Sequence, residues 1–545
     1  MPSLSETLAT AVAHHSAGRL DDAEALYAAI LDHIPDQIDA LHLTGVLTLQ
    51  RASGAKPPDP ARLAAGVALI RRAYAQPAAA TVPDIAINLG NGLSALAGAH
   101  SRAGAQAKAL EALLEMDDLG LPMRPADRLM LADGLALVRA ATEAKRHYRA
   151  LLSASPATLP QALPARVNLV KMLMAQRQVA EALSLLNEPL STDPSHAHDQ
   201  ATALALRARL LMTTPMDETA RALIRLSLTD MERIGGTSAE LHFLSGRFLQ
   251  SQGDIAGARA RYAQALTLEP AHAEARLAHA EACLRLGAWR DGFADLSWRW
   301  MLPMAGRLHG SIPLWERADQ DMSGRRVLVW DEVEPDALPH LARLLPRLRD
   351  RGVTVVVEVS PGWAALLPTG RGQALAGVTI ATRGMDTVHA DFQVPLQELP
   401  DRLSLWSADD FWHGPYMTAP ADTPAPSFPG PAVGVPADAL PSMRPPLPPG
   451  VTAVPLALPP ADEPEGWGRL AATLAGVDAV ALPAGPLAHL AGALGRPGVV
   501  LVPTNADWRW PATGERTPWY PSLRLVHGAV WPAAPIPGLD LETSS

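Results

Sequence analysis

Few positions in this chain of 545 residues carry side chains in an arrangement that suggests chemistry. The densest run of carboxylates is Asp331, Glu332, Glu334 and Asp336, directly after a short apolar stretch. Such a cluster either binds a divalent cation or faces water as an exposed loop. His489 lies in the run GPLAHLAGALG, where a helix starting at Pro486 leaves free N–H groups that attract phosphate. Gly485, Leu487 and His489 therefore form a candidate anion site, the alternative being a packed structural histidine. Asn88 and Asn168 stand at the same offset in two helical repeats, where they either hold a peptide backbone or are ordinary exposed polar residues. The tryptophans Trp298, Trp300 and Trp315, and again Trp508, Trp510 and Trp519, offer flat faces for a sugar or packing seals at a junction. His309 and His527 stand alone. Cys283 is the single cysteine, which excludes an intramolecular disulfide and a cysteine metal cluster. The chain has no nucleophile elbow, no Walker-type loop and no pair of catalytic carboxylates with supporting residues. No cofactor or metal is expected.

The elements that must position these residues change character near Trp300. Before it, the sequence repeats. Gly253 and Gly287 are separated by 34 residues, as are Ala258 and Gly292, Tyr262 and Leu296, and Gly246 and Ala280. Small residues at Gly246 and Ala258 allow two helices to approach closely, Tyr262 fills the gap to the next hairpin, and Pro270 stops the second helix. Gly18, Ala23, Tyr27 and Pro35 repeat the pattern at the start of the chain, and Ala182, Leu186 and Pro194 follow it more loosely. About seven helical hairpins are expected between residues 4 and 300. A 34-residue period is that of tetratricopeptide repeats, which stack because no single hairpin can bury its apolar face alone. The fold class expected for residues 1–300 is therefore an α-solenoid, a right-handed superhelix whose groove, lined by first helices, takes a protein or peptide partner.

Bulk composition fits a protein with more than one core: 48% of residues are apolar and 19% charged. A net charge of −10 without a basic patch argues against a nucleic-acid partner. No apolar run approaches the roughly 20 residues of a membrane span, and the first residues lack the pattern of a secretion signal. The expected location is the cytoplasm. The only lysines are Lys56, Lys108, Lys145 and Lys171, so the rest of the chain relies on arginine.

After Trp300, RRVLVW (Arg325–Trp330) and GVTVVVEV (Gly352–Val359) read as buried parallel strands flanking an amphipathic helix. Helix, strand, helix and strand follow again at 468–476, 478–483, 486–495 and 497–503. The expected layout is a first Rossmann-like domain over 301–417, a proline-rich linker or reduced segment over 418–464, and a second, reduced Rossmann-like unit over 465–545. Within 418–464 only AVGVP and VTAVPLALP resemble strands.

A set of motifs in this half resembles a known family: Trp298-Arg299-Trp300, Pro313-Leu314-Trp315, ARLLP (Ala342–Pro346), VPLQELP (Val394–Pro400), GPYM (Gly414–Met417), AHLAGALGRP (Ala488–Pro497), DWRW (Asp507–Trp510) and TPWYPSLRL (Thr517–Leu525). Together with the repeats they resemble bacterial proteins that join tetratricopeptide repeats to a two-domain (GT-B) glycosyltransferase of the heptosyltransferase and O-GlcNAc-transferase kind. The resemblance implies two facing Rossmann-like domains with a nucleotide-sugar in the cleft. It also implies a first loop reading Glu-Gln-Gly-x-Gly-Asp, whose aspartate serves as base. Here that loop reads Glu332, Val333, Glu334, Pro335, Asp336 and Ala337, so carboxylates replace both glycines and alanine replaces the aspartate. A slide of one residue leaves Asp336 as the remaining catalytic candidate. The family's second loop carries Asp-Thr before a helix with a histidine; Ala484 and Gly485 stand there, and His489 is kept. The basic loop of the family's second domain has no counterpart between Tyr416 and Asp478. Arg444 and Arg496 are the arginines left to meet phosphate charge.

The function expected is that of a protein-binding repeat protein whose glycosyltransferase-like domain is degenerate, a pseudoenzyme acting as scaffold or regulatory platform. The alternatives are an active transferase, moving a sugar from a nucleotide-sugar to a protein held by the repeats, and an assembly factor for an envelope or appendage component.

Overall fold

The computed structural model describes residues 3–154, 159–190, 193–302, 306, 308–332, 337–367, 375–411, 414–438 and 444–533. The chain divides into two compact units, Met1–Gly236 and Thr237–Ser545.

The first unit is built of helical hairpins throughout its described residues. They pair α1 (Leu4–Ser16) with α2 (Leu20–His33), α3 (Ile38–Gly54) with α4 (Pro60–Tyr74), and α5 (Pro83–Arg102) with α6 (Gln106–Asp118). Then come α7 (Pro125–Leu137) with α8 (Ala141–Ala154), α9 (Ala162–Ala175) with α10 (Val179–Asn187), and α11 (Ala197–Leu211) with α12 (Glu218–Gly235). The helix starts are written in the sequence. Ser3 and Glu6 form a reciprocal capping box, Asp59 caps α4 ahead of Pro60, and Asp217 caps α12. Packing inside a hairpin depends on small residues: a Cβ at Gly45 would lie 2.5 Å from Ile70 and 2.8 Å from the Gly66 carbonyl. One apolar core runs from Leu41 to Leu210 through successive hairpins, as expected of stacked units that each leave a face uncovered.

The second unit opens with two more hairpins, α13 (Ala239–Ser251) with α14 (Ile255–Leu268) and α15 (Ala273–Arg285) with α16 (Trp289–Asp295). A Cβ on Gly246 would meet Tyr262 at 2.5 Å and the Ala258 carbonyl at 3.1 Å, and one on Gly292 would meet the Ala280 carbonyl at 2.9 Å. The equivalent contact thus carries glycine on the first helix of one hairpin and on the second helix of the next. The anticipated boundary at residue 300 falls inside this unit. The reason is a shared core: Trp289 stacks on Trp519 with ring centroids 5.1 Å apart, and Phe293 meets Trp508 edge-on at 5.8 Å. The buried Arg285 donates to the Thr504 carbonyl at 2.8 Å and accepts from the Ala512 amide at 3.0 Å.

Two parallel sheets complete the unit. The first contains β1 (Arg326–Trp330), β2 (Thr354–Val359), β3 (Thr379–Thr382) and β4 (Phe392–Pro395), in the order β3-β2-β1-β4. Arg326 lies opposite Thr354 and Val327 opposite Phe392. The connection from β1 to β2 is broken into α17 (Ala337–Leu341), a 3-10 turn and α18 (Leu345–Asp350), since Pro346 enters the first turn of α18 without an N–H to donate. Short helices α19 (Pro361–Ala364) and α20 (Leu399–Arg402) follow β2 and β4. The second sheet contains β5 (Ala432–Pro436), β6 (Thr452–Leu456), β7 (Ala479–Pro483), β8 (Gly498–Val502) and β9 (Leu523–His527), in the order β6-β5-β7-β8-β9. Its helices are α21 (Pro464–Gly476) and α22 (Pro486–Ala493).

The proline-rich stretch 418–464 is therefore more than a linker, because it contributes β5 and β6 to the second sheet. Its prolines sit where strands tolerate them. Thr452 donates to the Pro431 carbonyl and Leu456 accepts from Ala437, so Pro455 between them turns its nitrogen away from β5.

Gly246→Ala should destabilise the protein by about 1–3 kcal/mol through overpacking against Tyr262, read as a lowered urea midpoint. A fragment of residues 237–545 should fold and elute as a compact species. A fragment of residues 301–545, which lacks Arg285, Trp289 and Phe293, should aggregate or elute expanded on gel filtration.

Candidate functional site

Ligands of parallel α/β sheets bind beyond the carboxyl ends of the strands. Beyond β1, Asp331 and Glu332 enter a buried polar network. Arg299 grips Glu332 with two bonds of 2.9 and 2.6 Å and reaches Glu398 at 3.4 Å. The Trp300 indole donates to Glu398 at 2.7 Å, Arg402 donates to the same carboxylate at 2.9 Å, and Gln397 donates to Glu332 at 3.2 Å. Near the carboxyl end of β2, Glu358 is met by His309 at 2.8 Å and by Arg383 at 3.6 Å. Glu332, the first residue of the resembled catalytic loop, is thus engaged in the protein's own ion pairs. Asp336, Glu334 and their neighbours 333 and 335 lie outside the described residues. Among the described residues no group of three or more His, Cys, Asp or Glu is placed to hold a metal ion.

The second candidate lies around α22. Gly485 takes a backbone φ of +155°, a conformation open to glycine. Gly485 and Leu487 are half-buried, whereas His489 is fully buried. His489 stacks on Trp510 at 4.6 Å and shares a hydrogen bond of 2.9 Å between Nδ1 and the Tyr520 hydroxyl. Gly492, one turn further along α22, makes this possible: a Cβ there would lie 2.3 Å from the Tyr520 ring. Burial, reinforced by Arg509 and Arg343, holds the His489 pKa well below the ordinary histidine value. The imidazole is neutral at physiological pH and faces the protein's own aromatics.

Motifs far apart in sequence meet at this point. Arg343, from ARLLP, is fully buried and lies over the rings of Tyr416 and Tyr520, 4.8 Å from each centroid. It donates to the Tyr416 hydroxyl at 2.9 Å and to the Trp519 carbonyl. His340 meets Trp519 edge-on at 4.3 Å and His489 at 5.4 Å. GPYM, AHLAGALGRP, DWRW and TPWYP each supply a member of the cluster. His340, Arg343, Arg509 and Tyr520 were not singled out from sequence; the apolar spacing of LPHLARLLP hid His340 and Arg343 within an amphipathic helix. The first tryptophan group is dispersed: Trp298 stacks under Arg276, Trp300 joins the Glu398 network, and Trp315 donates to the Arg317 carbonyl.

In the first unit, Asn88 and Asn168 are half-buried and bonded between successive first helices. Asn88 of α5 meets the His42 ring of α3 at 2.9 Å, and Asn168 of α9 donates to Asp133 of α7 at 2.9 Å. Tyr148 donates to the same Asp133 oxygen. Beside Asp133 opens a mainly apolar pocket of about 610 Å³, lined by Leu110, Leu129, Met130, Leu137 and Val138. Leu137 is 74% exposed, which is unusual for a leucine in a helical array. Nothing in the sequence pattern marked this pocket, since 126–150 matches the repeat poorly.

No protein-family model matches the chain, and no curated protein matches it. Among solved structures, the chain is similar to a thermophilic tetratricopeptide-repeat protein of Thermus thermophilus, at 21% identity over 33% of this chain and 92% of that one, TM-score 0.27. MamA follows at 14% identity over 32% and 90%, TM-score 0.26. PilF of Pseudomonas aeruginosa follows at 15% identity over 43% and 93%, TM-score 0.24. The helical array is of tetratricopeptide type on its 34-residue period and its hairpins, and it is joined to parallel α/β sheets. Among the described residues no helix is long and apolar enough to cross a membrane.

Arg299→Met leaves Glu332 buried without its main partner. It should cost about 3–5 kcal/mol, measured by chemical denaturation, and Arg299→Met/Glu332→Gln should recover part of that loss.

Proposed function

We propose that the chain is a protein-binding tetratricopeptide-repeat protein, and that its α/β part is a degenerate relative of two-domain nucleotide-sugar transferases acting as scaffold or regulatory platform. The observation that carries this reading is the burial of His489. In the resembled family this histidine belongs to the nucleotide-sugar loop, whereas here its ring lies among Trp510, Tyr520 and His340. The engagement of Glu332 by Arg299 supports the same reading, as do Ala337 and Ala484 at the resembled carboxylate positions. Transfer needs a base for the acceptor hydroxyl and positive groups for the leaving diphosphate. Loss of a general base alone lowers a rate by roughly 10²–10⁴-fold.

A protein partner is supported by the first unit, where the apolar pocket beside Asp133 and the exposed Leu137 and Val138 stand next to the first-helix polar pairs. Helical arrays of this type use such surfaces to hold peptides or helices.

The full-length chain should neither hydrolyse nor transfer from UDP-, GDP-, ADP- or CMP-sugars above background, with native partner protein offered as acceptor. A photo-crosslinker placed at Val138 should capture a discrete partner in cells, and Leu137→Asp should abolish that capture. Robust sugar turnover would overturn the scaffold reading in favour of an active transferase.

A further inference from the structure

His340 and His489 reach the same buried point from opposite sheets. α17 follows β1 of the first sheet and α22 follows β7 of the second, and the two imidazoles lie 5.4 Å apart at an interplanar angle of 47°. Both side chains are fully buried. His489 uses Nδ1 on Tyr520, while its Nε2 and both ring nitrogens of His340 meet no hydrogen-bonding group among the described residues.

The charged groups facing the pair are cations. Arg343 comes from the turn after α17, and Arg509 comes from the segment after β8. That segment also carries Asp507, which Arg509 holds at 2.8 Å. Tyr416 and Tyr520 face the cluster as phenols, neutral because burial raises their pKa values. The last repeat hairpin contributes Trp289 and Phe293, which carry no charge.

We propose that the His340–His489 pair is an acid-sensitive latch between the two sheets, closed while both rings are neutral and released when they take up protons. A protonated ring at this place would be a buried cation beside two arginines, with Asp507 already engaged by Arg509. Moving α17 away from α22 returns it to water. Desolvation comes first in holding both rings well below the ordinary histidine value in the closed state; for His340 the His489 ring and then Arg343 and Arg509 add to it, and for His489 Arg509 and Arg343 do. The sign follows from linkage. A histidine whose pKa is depressed on closing stabilises the closed state fully above about pH 6.5, and that stabilisation falls as pH drops toward the depressed value. Each ring contributes about tenfold per pH unit to the ratio of closed to open, and the pair about a hundredfold.

The test is amide hydrogen exchange on the full-length chain between pH 7.5 and 5.0, corrected for intrinsic exchange rates. His42 and His147 in the first unit and His279 in α15 are also depressed by burial. Local protection, not the global melt, therefore reads the latch. Protection of α17 and α22 should hold above pH 6.5 and fall below it by about a hundredfold per pH unit, while α5 and α6 change less. His340→Phe should reduce that slope to about tenfold per unit, and His340→Phe/His489→Phe should flatten it. Flat protection of α17 and α22 in the unsubstituted chain overturns the proposal, as does a slope that survives both substitutions. If the variants do not fold, the unsubstituted chain decides alone: opening must take up two protons, and a slope of about tenfold per unit or less refutes the latch.

Discussion

The second unit depends on the burial of one indole, Trp519. Trp289 of the last hairpin stacks on one of its faces, and Phe411 and His340 meet it edge-on. Its carbonyl takes a bond from Arg343, and its Nε1 donates to the Arg509 carbonyl. Repeat, first sheet and second sheet therefore share a single core, and none of the three can withdraw without exposing a large aromatic surface to water. This explains why α13–α16 belong with the sheets although their sequence belongs with the repeats.

The same constraint shapes the chemistry. A cleft between two parallel α/β sheets is a natural ligand site because strand ends and helix N-termini converge there. Among the described residues, side chains of the protein meet one another at this convergence. Arg343 bridges Tyr416, Tyr520 and the Trp519 backbone, and the two histidines occupy the space between α17 and α22. At the carboxyl edge of the first sheet, Glu332 and Glu398 are tied to Arg299 and Arg402. Arg299, Arg402 and Arg343 are thereby engaged with groups of the protein itself.

The helical half was legible because its signals are local and redundant. Gly246, Ala258 and Tyr262 each have one geometric duty, and the period repeats those duties until chance is a poor explanation. The longer strands β1, β2, β7 and β8 were legible as continuous apolar runs. β3 and β4 were not, since four residues such as TIAT or FQVP carry no periodicity, and their pairing comes from neighbours distant in sequence. β9 was concealed within a motif noted for its resemblance. At the candidate site, sequence named His489 but could not tell an exposed ligand-binding imidazole from a packed one. That distinction rests on Trp510 and Tyr520, which reach it across a loop. Asn88 and Asn168 lie on α5 and α9, and their partners His42 and Asp133 lie a whole repeat away.

The prolines of 418–464 have a consequence for the company this protein keeps in a crowded solution. β6 ends the second sheet, and an open strand edge is a template for another chain to add to, which is how sheets grow into fibrils. Pro455 presents its nitrogen on that outer side without a hydrogen to offer, which removes one rung from any ladder an incoming strand would build. The composition that makes this stretch resemble a tether thus acts as a terminator, guarding the margin of the sheet against self-templated polymerisation.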